Sequence, residues 1–287
     1  MKTQGMRLRE YLLRARKELR TGPDFNPHLE AEVLVRHGLG ISREQFFAEL
    51  GRLLTLDETA ILDALIARRA SGEPLAYITQ HREFYSLEFA VNEHVLIPRQ
   101  ESELLVDMAL EFANGLSVNT VDIADVGTGS GALAIALAHN LPKAIVKAID
   151  LSEEALHVAD DNARRHGVLD RVSLLLGDLL EPISLAVDII VSNPPYIPTG
   201  DINGLPTDVR HEPRQALDGG PDGLDVLRRL LAQAPAKLRR GGCLLVELSP
   251  EQMAEAERLA QAAFPSAEVS HVDDLLKLAR VLVINTK

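Results

Sequence analysis

Four residues at the end of an apolar run, Asn193-Pro-Pro-Tyr196, have the types and spacing to hold and activate a planar nitrogen. They follow Val187–Val191, a run typical of a buried strand. An amide nitrogen shares its lone pair with the carbonyl and is a weak nucleophile. If the Asn193 side-chain oxygen and the Pro194 carbonyl accept its two N–H bonds, the nitrogen is aimed and polarised. Pro195 fixes that carbonyl's direction, and Tyr196 can stack on the amide face.

The elements that position these residues alternate along the chain. Runs typical of strands cover 120–126, 144–149, 171–176, 187–192 and 241–247, with helical stretches such as 153–165, 223–239 and 250–263 between them. This alternation predicts a parallel sheet covered by helices on both faces. The runs Glu268–Val272 and Arg280–Ile284 lie too close together for a helical crossover, so we expect an antiparallel edge hairpin. Five parallel strands closed by such a hairpin resemble the Rossmann-like seven-stranded sheet of class I methyltransferases.

The carboxyl ends of the other strands predict a nucleoside ligand, since open α/β sheets bind ligands there. One strand runs into a glycine-rich turn that lets the backbone approach a ligand, and its candidate residues are Gly127, Thr128, Gly129, Ser130 and Gly131. Asp150 ends the next strand, where a carboxylate can accept both hydroxyls of a ribose. The third strand ends at Asp178, suited to the exocyclic amine of adenine, and Leu179, suited to covering the ring.

Two adenosine ligands satisfy these strand ends, S-adenosylmethionine and NAD, because the glycine turn also fits the relaxed dinucleotide fingerprint. Asn193–Tyr196 separates them: hydride transfer has no use for it, whereas methylation of a planar nitrogen does. The sequence therefore favours S-adenosylmethionine, with S-adenosylhomocysteine as product. Simpler alternatives remain open for each segment alone: a tightly packed turn, a capping acid, a solvated turn aspartate and a double-proline strand stop. A protein that binds the cofactor without catalysis is a further alternative.

The N-terminal part of the chain has a different periodicity. Ile61, Leu62, Leu65 and Ile66 fall on one helical face, and similar short patterns precede them, so the first 75 residues predict a small helical bundle. Glu83–Ile97 is β-rich with a break near Asn92, which predicts a hairpin joining two domains. The predicted domains are thus 1–75, a helical substrate-recognition domain, 76–98, the hairpin linker, and 99–287, the catalytic domain.

Composition excludes several classes of function. A net charge of -12 and a pI near 5.2 argue against binding a nucleic-acid backbone directly. Cys243 is the single cysteine, so no internal disulfide forms, no metal-ligand spacing is present, and a reducing cytoplasm is the expected location. The charged segment Met1–Arg20 predicts no signal peptide, and no apolar run approaches the roughly 20 residues of a membrane span. We expect a monomer.

Four segments together resemble a known family, the N5-glutamine methyltransferases that modify peptide chain release factors (PrmC/HemK). They are Leu96-Ile-Pro-Arg99, Asp125-Val-Gly-Thr-Gly-Ser-Gly131, Asn193-Pro-Pro-Tyr196 and Glu212-Pro-Arg-Gln-Ala-Leu-Asp-Gly-Gly220. The resemblance spans the helical N-terminus to the last hairpin. It implies direct in-line methylation of the glutamine in the release factor's Gly-Gly-Gln tripeptide, with S-adenosylmethionine as donor. It also implies cofactor contacts from the glycine turn, Asp150, Leu179 and Asn193, a glutamine held by Asn193–Tyr196, and a release-factor-binding N-terminal bundle.

Two positions depart from the family pattern. Gln100 stands where the family usually has proline, and Gln80 stands where glycine, suited to a positive φ, is common. Ser102 replaces the family's threonine and keeps the hydroxyl. Arg99, with the acids Glu101 and Glu103, is a candidate for lining the substrate approach, although acids opening a helix also serve as dipole partners. Glu212 and Asp218 are expected to order a loop over the site, with Gly219 and Gly220 making its turn.

Two related functions use the same tetrapeptide. A ribosomal-protein glutamine methyltransferase would share it, but Ile97–Glu103 fits the release-factor branch better. An adenine-N6 DNA methyltransferase would need a basic surface for base flipping, which this acidic chain lacks.

Overall fold

The computed structural model describes residues 5–19 and 26–287, so both ends of the charged segment Met1–Arg20 lie outside the described residues. The chain forms two compact units. The first contains Met1–Gln80 together with Pro206–His211, and the second contains His81–Leu205 and Glu212–Lys287. The division falls after Gln80, and the grouping of 206–211 with the first unit was not anticipated from sequence. The domain borders placed at residues 75 and 98 from the sequence remain predictions.

The first unit is helical, as predicted. Its helices are α1 (Leu8–Glu18), α2 (Pro27–Leu39), α3 (Arg43–Ala48), α4 (Leu56–Ala70) and α5 (Leu75–Thr79). The starts of α2, α3 and α4 are capped by Asn26, Ser42 and Thr55, whose side-chain oxygens accept backbone N–H groups of the first turn. Their apolar faces, including Leu34, Leu62 and other residues, form one buried core. Local capping and helical periodicity therefore explain this unit.

The second unit opens with a small hairpin and continues as a seven-stranded sheet. The hairpin strands are β1 (His81–Phe84) and β2 (Leu87–Ala90). The sheet strands are β3 (Val121–Val126), β4 (Ala144–Asp150), β5 (Val172–Leu176), β6 (Val187–Ser192), β7 (Leu238–Glu247), β8 (Glu268–Asp273) and β9 (Ala279–Asn285). Their order is β5-β4-β3-β6-β7-β9-β8, with β8 and β9 antiparallel at one edge. The predicted class I methyltransferase fold is confirmed.

Helices cover both faces of this sheet. They are α6 (Glu103–Gly115), α7 (Ala132–Asn140), α8 (Glu153–Arg165), α9 (Asp225–Gln233) and α10 (Met253–Ala263). Neighbouring residues of a strand enter different cores: Ile123 of β3 packs with α6 and α7, whereas Ala124 packs with α9 and α10. Because both faces are buried in apolar contacts, polar chemistry is left to the strand ends. Within residues 5–19 and 26–287, no helix has the length and apolar character of a membrane span.

Two local predictions were wrong. The hairpin turns at Tyr85 and Ser86, both at positive φ (51° and 61°), rather than near Asn92. Neither is a typical residue for such a turn, and two carboxylates stabilise it. The Tyr85 N–H donates to Glu103 Oε1 at 2.8 Å, and the Ser86 N–H donates to Glu83 Oε1 at 2.7 Å. The helix predicted over 223–239 ends at Gln233, because Pro235 cannot donate the helical hydrogen bond, and β7 begins at Leu238.

Candidate active site

A cavity of about 530 Å³ lies at the carboxyl ends of the strands in the second unit. Six of the residues predicted to bind the cofactor line it: Gly127, Gly129, Asp150, Asp178, Leu179 and Asn193. Pro195 lines the same cavity. Since β3, β4, β5 and β6 are parallel neighbours, their loops meet at one edge, and that topology brings together residues far apart in sequence.

The glycine turn contributes through only part of its length. Gly127 and Gly129 adopt φ of 77° and 56°, and a Cβ added to either would meet nothing within 4 Å, so this backbone faces open space. Gly131 differs, because its Cβ would come within 2.9 Å of Ile135, which makes it a packing residue. Thr128 and Ser130 are buried and are absent from the cavity lining, so their role is to shape the turn.

Asp125 lies beneath the turn and is completely buried. Its Oδ2 accepts the Thr128 hydroxyl at 2.6 Å and the Ala134 N–H at 3.1 Å. Among the described residues its Oδ1 has no hydrogen-bond partner. Burial raises the pKa of Asp125 to about 7, and the charge of Asp150 adds to the rise. A buried carboxyl with an unused oxygen is suited to a cationic ligand.

Asp150 joins the turn to the end of β4. Its Oδ2 accepts the Gly129 N–H at 2.8 Å and its Oδ1 accepts the Ser152 N–H at 3.0 Å. Each carboxylate oxygen has a second lone pair, so capacity for ribose hydroxyls remains. Ser152 caps α8, and its hydroxyl oxygen accepts from the Ala155 N–H at 3.1 Å.

Asp178 and Leu179 follow β5. Asp178 is ion-paired through Oδ2 with Arg229 of α9, a partner that the sequence did not suggest. Leu179 adopts a positive φ of 52° and is half-buried at the cavity. With the glycine turn and Asp150, these residues fit the adenosine ligand expected from sequence, because they supply hydroxyl acceptors and an apolar cover. Asp125 lies beneath the turn and does not line the cavity.

The tetrapeptide Asn193–Tyr196 is anchored at three points. The Asn193 Nδ2 donates to Ser102 Oγ at 2.9 Å. A Cβ added to Gly219 would lie 2.7 Å from the Pro195 carbonyl oxygen, so only glycine permits this approach. The Gln252 Nε2 donates to the Tyr196 carbonyl at 2.7 Å. The segment is therefore held from three separate parts of the chain.

Tyr196 reaches inward, with its hydroxyl 3.5 Å from Glu247 Oε1. It packs partly against the core shared with α9 and α10. Burial, followed by the negative charge of Glu247, raises the pKa of Tyr196 far above its ordinary value, so the hydroxyl keeps its proton.

The loop after the tetrapeptide is tied down by its two acids. Glu212 is buried and accepts the Ile97 N–H at 3.0 Å, and it is ion-paired with Arg99. Asp218 accepts the Thr199 hydroxyl at 2.6 Å and the Gly220 N–H at 3.1 Å, and the first of these bonds lowers its pKa most. Both contacts are of the loop-ordering kind that the sequence predicts.

Other candidates lie differently from expectation. Gln100 and Glu101 are exposed in a short 3-10 turn, and Glu103 supports the hairpin. The sequence reasoning missed Glu247 and Gln252, although an acid ending the apolar run Leu244–Val246 at a strand's carboxyl end is a detectable signal. No group of three or more His, Cys, Asp or Glu residues in the described part of the chain is placed to hold a metal ion.

Comparison with known proteins was made by family model, sequence and structure. Residues 10–79 match the PrmC N-terminal domain and residues 102–205 match the methyltransferase small domain. The chain is 48% identical to the release factor glutamine methyltransferase of Moorella thermoacetica over 258 residues, 90% of each chain. It is 45% identical to that of Geobacter sulfurreducens, over 78% of this chain and 77% of the relative.

Solved structures share the fold at low identity. The hMettl16 catalytic domain, solved with the MAT2A 3′UTR hairpin 6, superposes with a TM-score of 0.59 at 15% identity and covers 78% of this chain and 82% of its own. The Thermus thermophilus 16S rRNA N2 G1207 methyltransferase, solved with AdoMet and guanosine, gives 0.51 at 20% identity, over 72% of this chain and 50% of its own. At such identities the likeness concerns the fold alone.

Proposed function

The chain belongs to the release factor glutamine methyltransferases, and from that premise we propose how it acts. It is a methyltransferase of release-factor glutamine whose family uses S-adenosylmethionine. The proposed reaction is direct transfer of the methyl group to the side-chain amide nitrogen (N5) of the glutamine in the Gly-Gly-Gln tripeptide.

The observation that carries this proposal is the position of Asn193 between the cavity and the Ser102 hydroxyl. Asn193 lines the cavity together with the candidate cofactor residues, and its Nδ2 donates to Ser102 Oγ. The side-chain oxygen is left to accept a hydrogen bond from the substrate amide. Together with the Pro194 carbonyl it would fix both N–H bonds of the glutamine, which aims the nitrogen and polarises it as its lone pair is withdrawn from the carbonyl.

The cofactor supplies an activated methyl group on a positively charged sulfur. We assign its adenosine to Asp150, Asp178 and Leu179, which line the cavity, and its charged end to the glycine turn, beneath which Asp125 Oδ1 is buried without a described partner. Gly127 and Gly129 provide the open backbone between these groups. Thr128, Ser130 and Gly131 keep the turn in shape.

The remaining residues act on the substrate side. Pro195, which lines the cavity, is the proposed wall against which the planar amide lies, and Tyr196 supports it from the core side. The Arg99–Glu212 pair orders the loop after the tetrapeptide. No step needs a general base, because the methylated nitrogen loses its extra proton to water. S-adenosylhomocysteine is the product.

The helical first unit is the proposed recognition element for the release factor, with the family-model match to residues 10–79 as support. The protein is proposed to act as a monomer in the cytoplasm, without direct nucleic-acid contact. The location rests on the single cysteine, Cys243, whose pKa burial raises to about 12 so that the thiol stays unreactive.

The experiment is methyl localisation. Purified release factor is incubated with the protein and S-adenosylmethionine carrying a deuterated methyl group, and peptides are read by mass spectrometry. The expected product carries the label on the Gly-Gly-Gln glutamine, and a release factor with glutamate at that position stays unlabelled. Absence of label, with cofactor binding intact by thermal shift, would refute the proposed substrate, and the same assay on ribosomal proteins and duplex DNA would then find the acceptor.

A further inference from the structure

The end of β7 buries a carboxylate that the proposed methyl transfer does not use. Glu247 is 1% exposed and follows the apolar run Leu244–Val246. In the sheet register Val246 pairs with Ser192 of β6, so the next residues, Glu247 at the end of β7 and Asn193 just beyond β6, lie side by side. A buried charge is costly unless it has partners, so its contacts are informative.

Those contacts form a chain that ends at the substrate-facing asparagine. Ser102 Oγ donates to Glu247 Oε2 at 2.5 Å, and Asn193 Nδ2 donates to Ser102 Oγ at 2.9 Å. Ser102 is itself only 4% exposed. The Tyr196 hydroxyl lies 3.5 Å from the other carboxylate oxygen. Solvent therefore has little access to the link between Ser102 and Glu247.

The chemistry of the groups sets the direction of the chain. An ionised carboxylate only accepts hydrogen bonds, and a serine hydroxyl has one proton to donate. Because the Ser102 hydroxyl donates its hydrogen bond to Glu247, the Ser102 oxygen can only accept a hydrogen bond from Asn193. The donor must then be the amide NH2 of Asn193. The nearly isosteric oxygen of Asn193 is then turned to the other side. Without the carboxylate, both amide orientations satisfy Ser102 equally well.

We propose that Glu247 and Ser102 are positioning residues, which act through Asn193 and hold its side-chain oxygen toward the substrate nitrogen. The inference rests on the proposed function, since it concerns the same amide nitrogen. A reversed Asn193 would present NH2 to the substrate NH2, so neither group could accept, and the nitrogen would be neither aimed nor polarised.

The proposal makes the proton state of Glu247 important. Burial raises its pKa, the Ser102 hydrogen bond and the positive charge of Arg280 on β9 lower it, and the charge of Glu101 in the 3-10 turn raises it, with a net rise. The Tyr196 hydroxyl also faces it. When pH falls through this raised pKa, Glu247 gains a proton, can donate to Ser102, and the direction is lost. Activity then falls on the acid side at a higher pH than an ordinary carboxyl would cause.

The test uses the isosteric change Glu247→Gln in the full-length protein with release factor and S-adenosylmethionine. We expect kcat to fall about 10- to 100-fold, the range typical when a group that orients a functional side chain is removed. The KM for release factor and the Kd for cofactor should change less than about twofold, because binding surfaces are kept. The matched control is Glu251→Gln, an exposed acid just beyond the same strand, which should behave as wild type.

A second pair of variants separates positioning from folding. Ser102→Ala should lose kcat as Glu247→Gln does, and Ser102→Thr, which keeps the hydroxyl, should recover most of the loss. When kcat is measured as a function of pH, the fall at acid pH should be present in wild type and absent in both Glu247→Gln and Ser102→Ala. Wild-type kcat and an unchanged fall at acid pH in Glu247→Gln would overturn the inference, as would equal losses in Ser102→Ala and Ser102→Thr.

The outcomes also distinguish this inference from the function beneath it. Wild-type protein is assayed first in the same reactions. If it does not methylate release factor, the proposed function fails and Glu247 has no assigned role. If wild type methylates while Glu247→Gln is equally active, only the positioning role fails.

Discussion

The two units bury polar groups in different ways. Among the described residues, the helical unit buries only Arg69 and Thr79 of the polar residue types. The second unit buries many more, namely Ser102, Asp125, Thr128, Ser130, Asn162, Ser192, Glu212, Glu247 and Gln252. Most of these lie at or beside the carboxyl ends of strands, around the candidate site.

The quality of their hydrogen bonding differs as well. Arg69 meets Glu30 through two bonds, at 2.8 and 3.0 Å, and the Thr79 hydroxyl donates to the Leu75 carbonyl one turn earlier. Asp125 and Gln252 instead each keep a buried oxygen without a described partner, whereas the described buried atoms of the helical unit that lack a hydrogen bond are Nε atoms of half-buried arginines, namely Arg14, Arg16, Arg36 and Arg52. At the candidate site, a fully buried carboxyl with unused hydrogen-bonding capacity is suited to a ligand. Substitutions in the two units should accordingly affect different properties.

The largest expected effect is in the helical unit. Glu30→Ala removes the bidentate partner of Arg69, which is 4% exposed, and leaves its charge with a longer ion pair to Asp208 at 3.8 Å and the Glu73 carbonyl at 3.0 Å. We expect the free energy of unfolding to fall by about 1.5–3 kcal/mol, measured by urea denaturation. Glu32→Ala on the same helix is the control, because its partners Arg43 and Arg36 are 61% and 31% exposed, and it should cost under about 1 kcal/mol. Equal losses in the two variants would contradict the comparison.

Asp125 should instead respond through ligand binding. Because burial raises its pKa to about 7, it gains its charge as pH rises through neutrality. S-adenosylmethionine carries net positive charge, so its affinity should increase about 3- to 10-fold from pH 6 to pH 8 in titration calorimetry. Asp125→Asn should bind more weakly at pH 8 and lose most of this dependence. A slope that persists in the variant would assign the effect to another group.

The raised pKa of Asp125 has the opposite effect on the folding stability of the cofactor-free protein, which decreases as pH rises. Its folded state holds the proton of Asp125 more tightly than the unfolded chain does. Stability from this group is therefore present at low pH and declines as pH rises toward about 7. The difference in melting temperature between wild type and Asp125→Asn should change with pH in that direction.

The smallest effect is at the end of α5. Gln80 adopts φ 63°, a conformation that costs a non-glycine residue about 1 kcal/mol, so Gln80→Gly should stabilise the protein by about 0.5–1 kcal/mol. Gly40 ends α2 at φ 62° with nothing within 4 Å of an added Cβ, and Gly40→Ala should destabilise it by about the same amount. Melting temperatures that shift in the same direction for both variants would contradict this account.

Much of the fold could be predicted from the sequence because its signals are local. Alternating strand and helix periods determine the sheet, and the short spacing between Glu268–Val272 and Arg280–Ile284 determines the edge hairpin. The glycine common in the family at position 80 correctly indicated a positive φ, which Gln80 keeps. The turn at Tyr85 and Ser86 was missed because neither residue is typical of such a turn and part of its support comes from Glu103, distant in sequence.

The candidate site was predictable only in outline. The strand ends of β3 to β6 could be read individually, and the sheet brings Gly127, Asp150 and Asn193 to one cavity. The link from Ser102 to Glu247 crosses 145 residues, and that from Ser102 to Asn193 crosses 91. Hydrophobic periodicity along the sequence does not indicate such contacts, because they depend on how the end of β7 packs against the start of α6. Asp178 looked free for adenine in sequence, yet its ion pair with Arg229 appears only in three dimensions.

The central claim is that Asn193 aims the glutamine nitrogen, and Asn193→Ala tests it most directly. Asn119→Ala, exposed at the opposite end of β3, is the control. Single-turnover methylation of release factor and cofactor Kd are measured for both variants and wild type. The account predicts a loss of at least about 100-fold in the methylation rate for Asn193→Ala, with cofactor Kd nearly unchanged and the control equal to wild type. A wild-type rate in Asn193→Ala would contradict it.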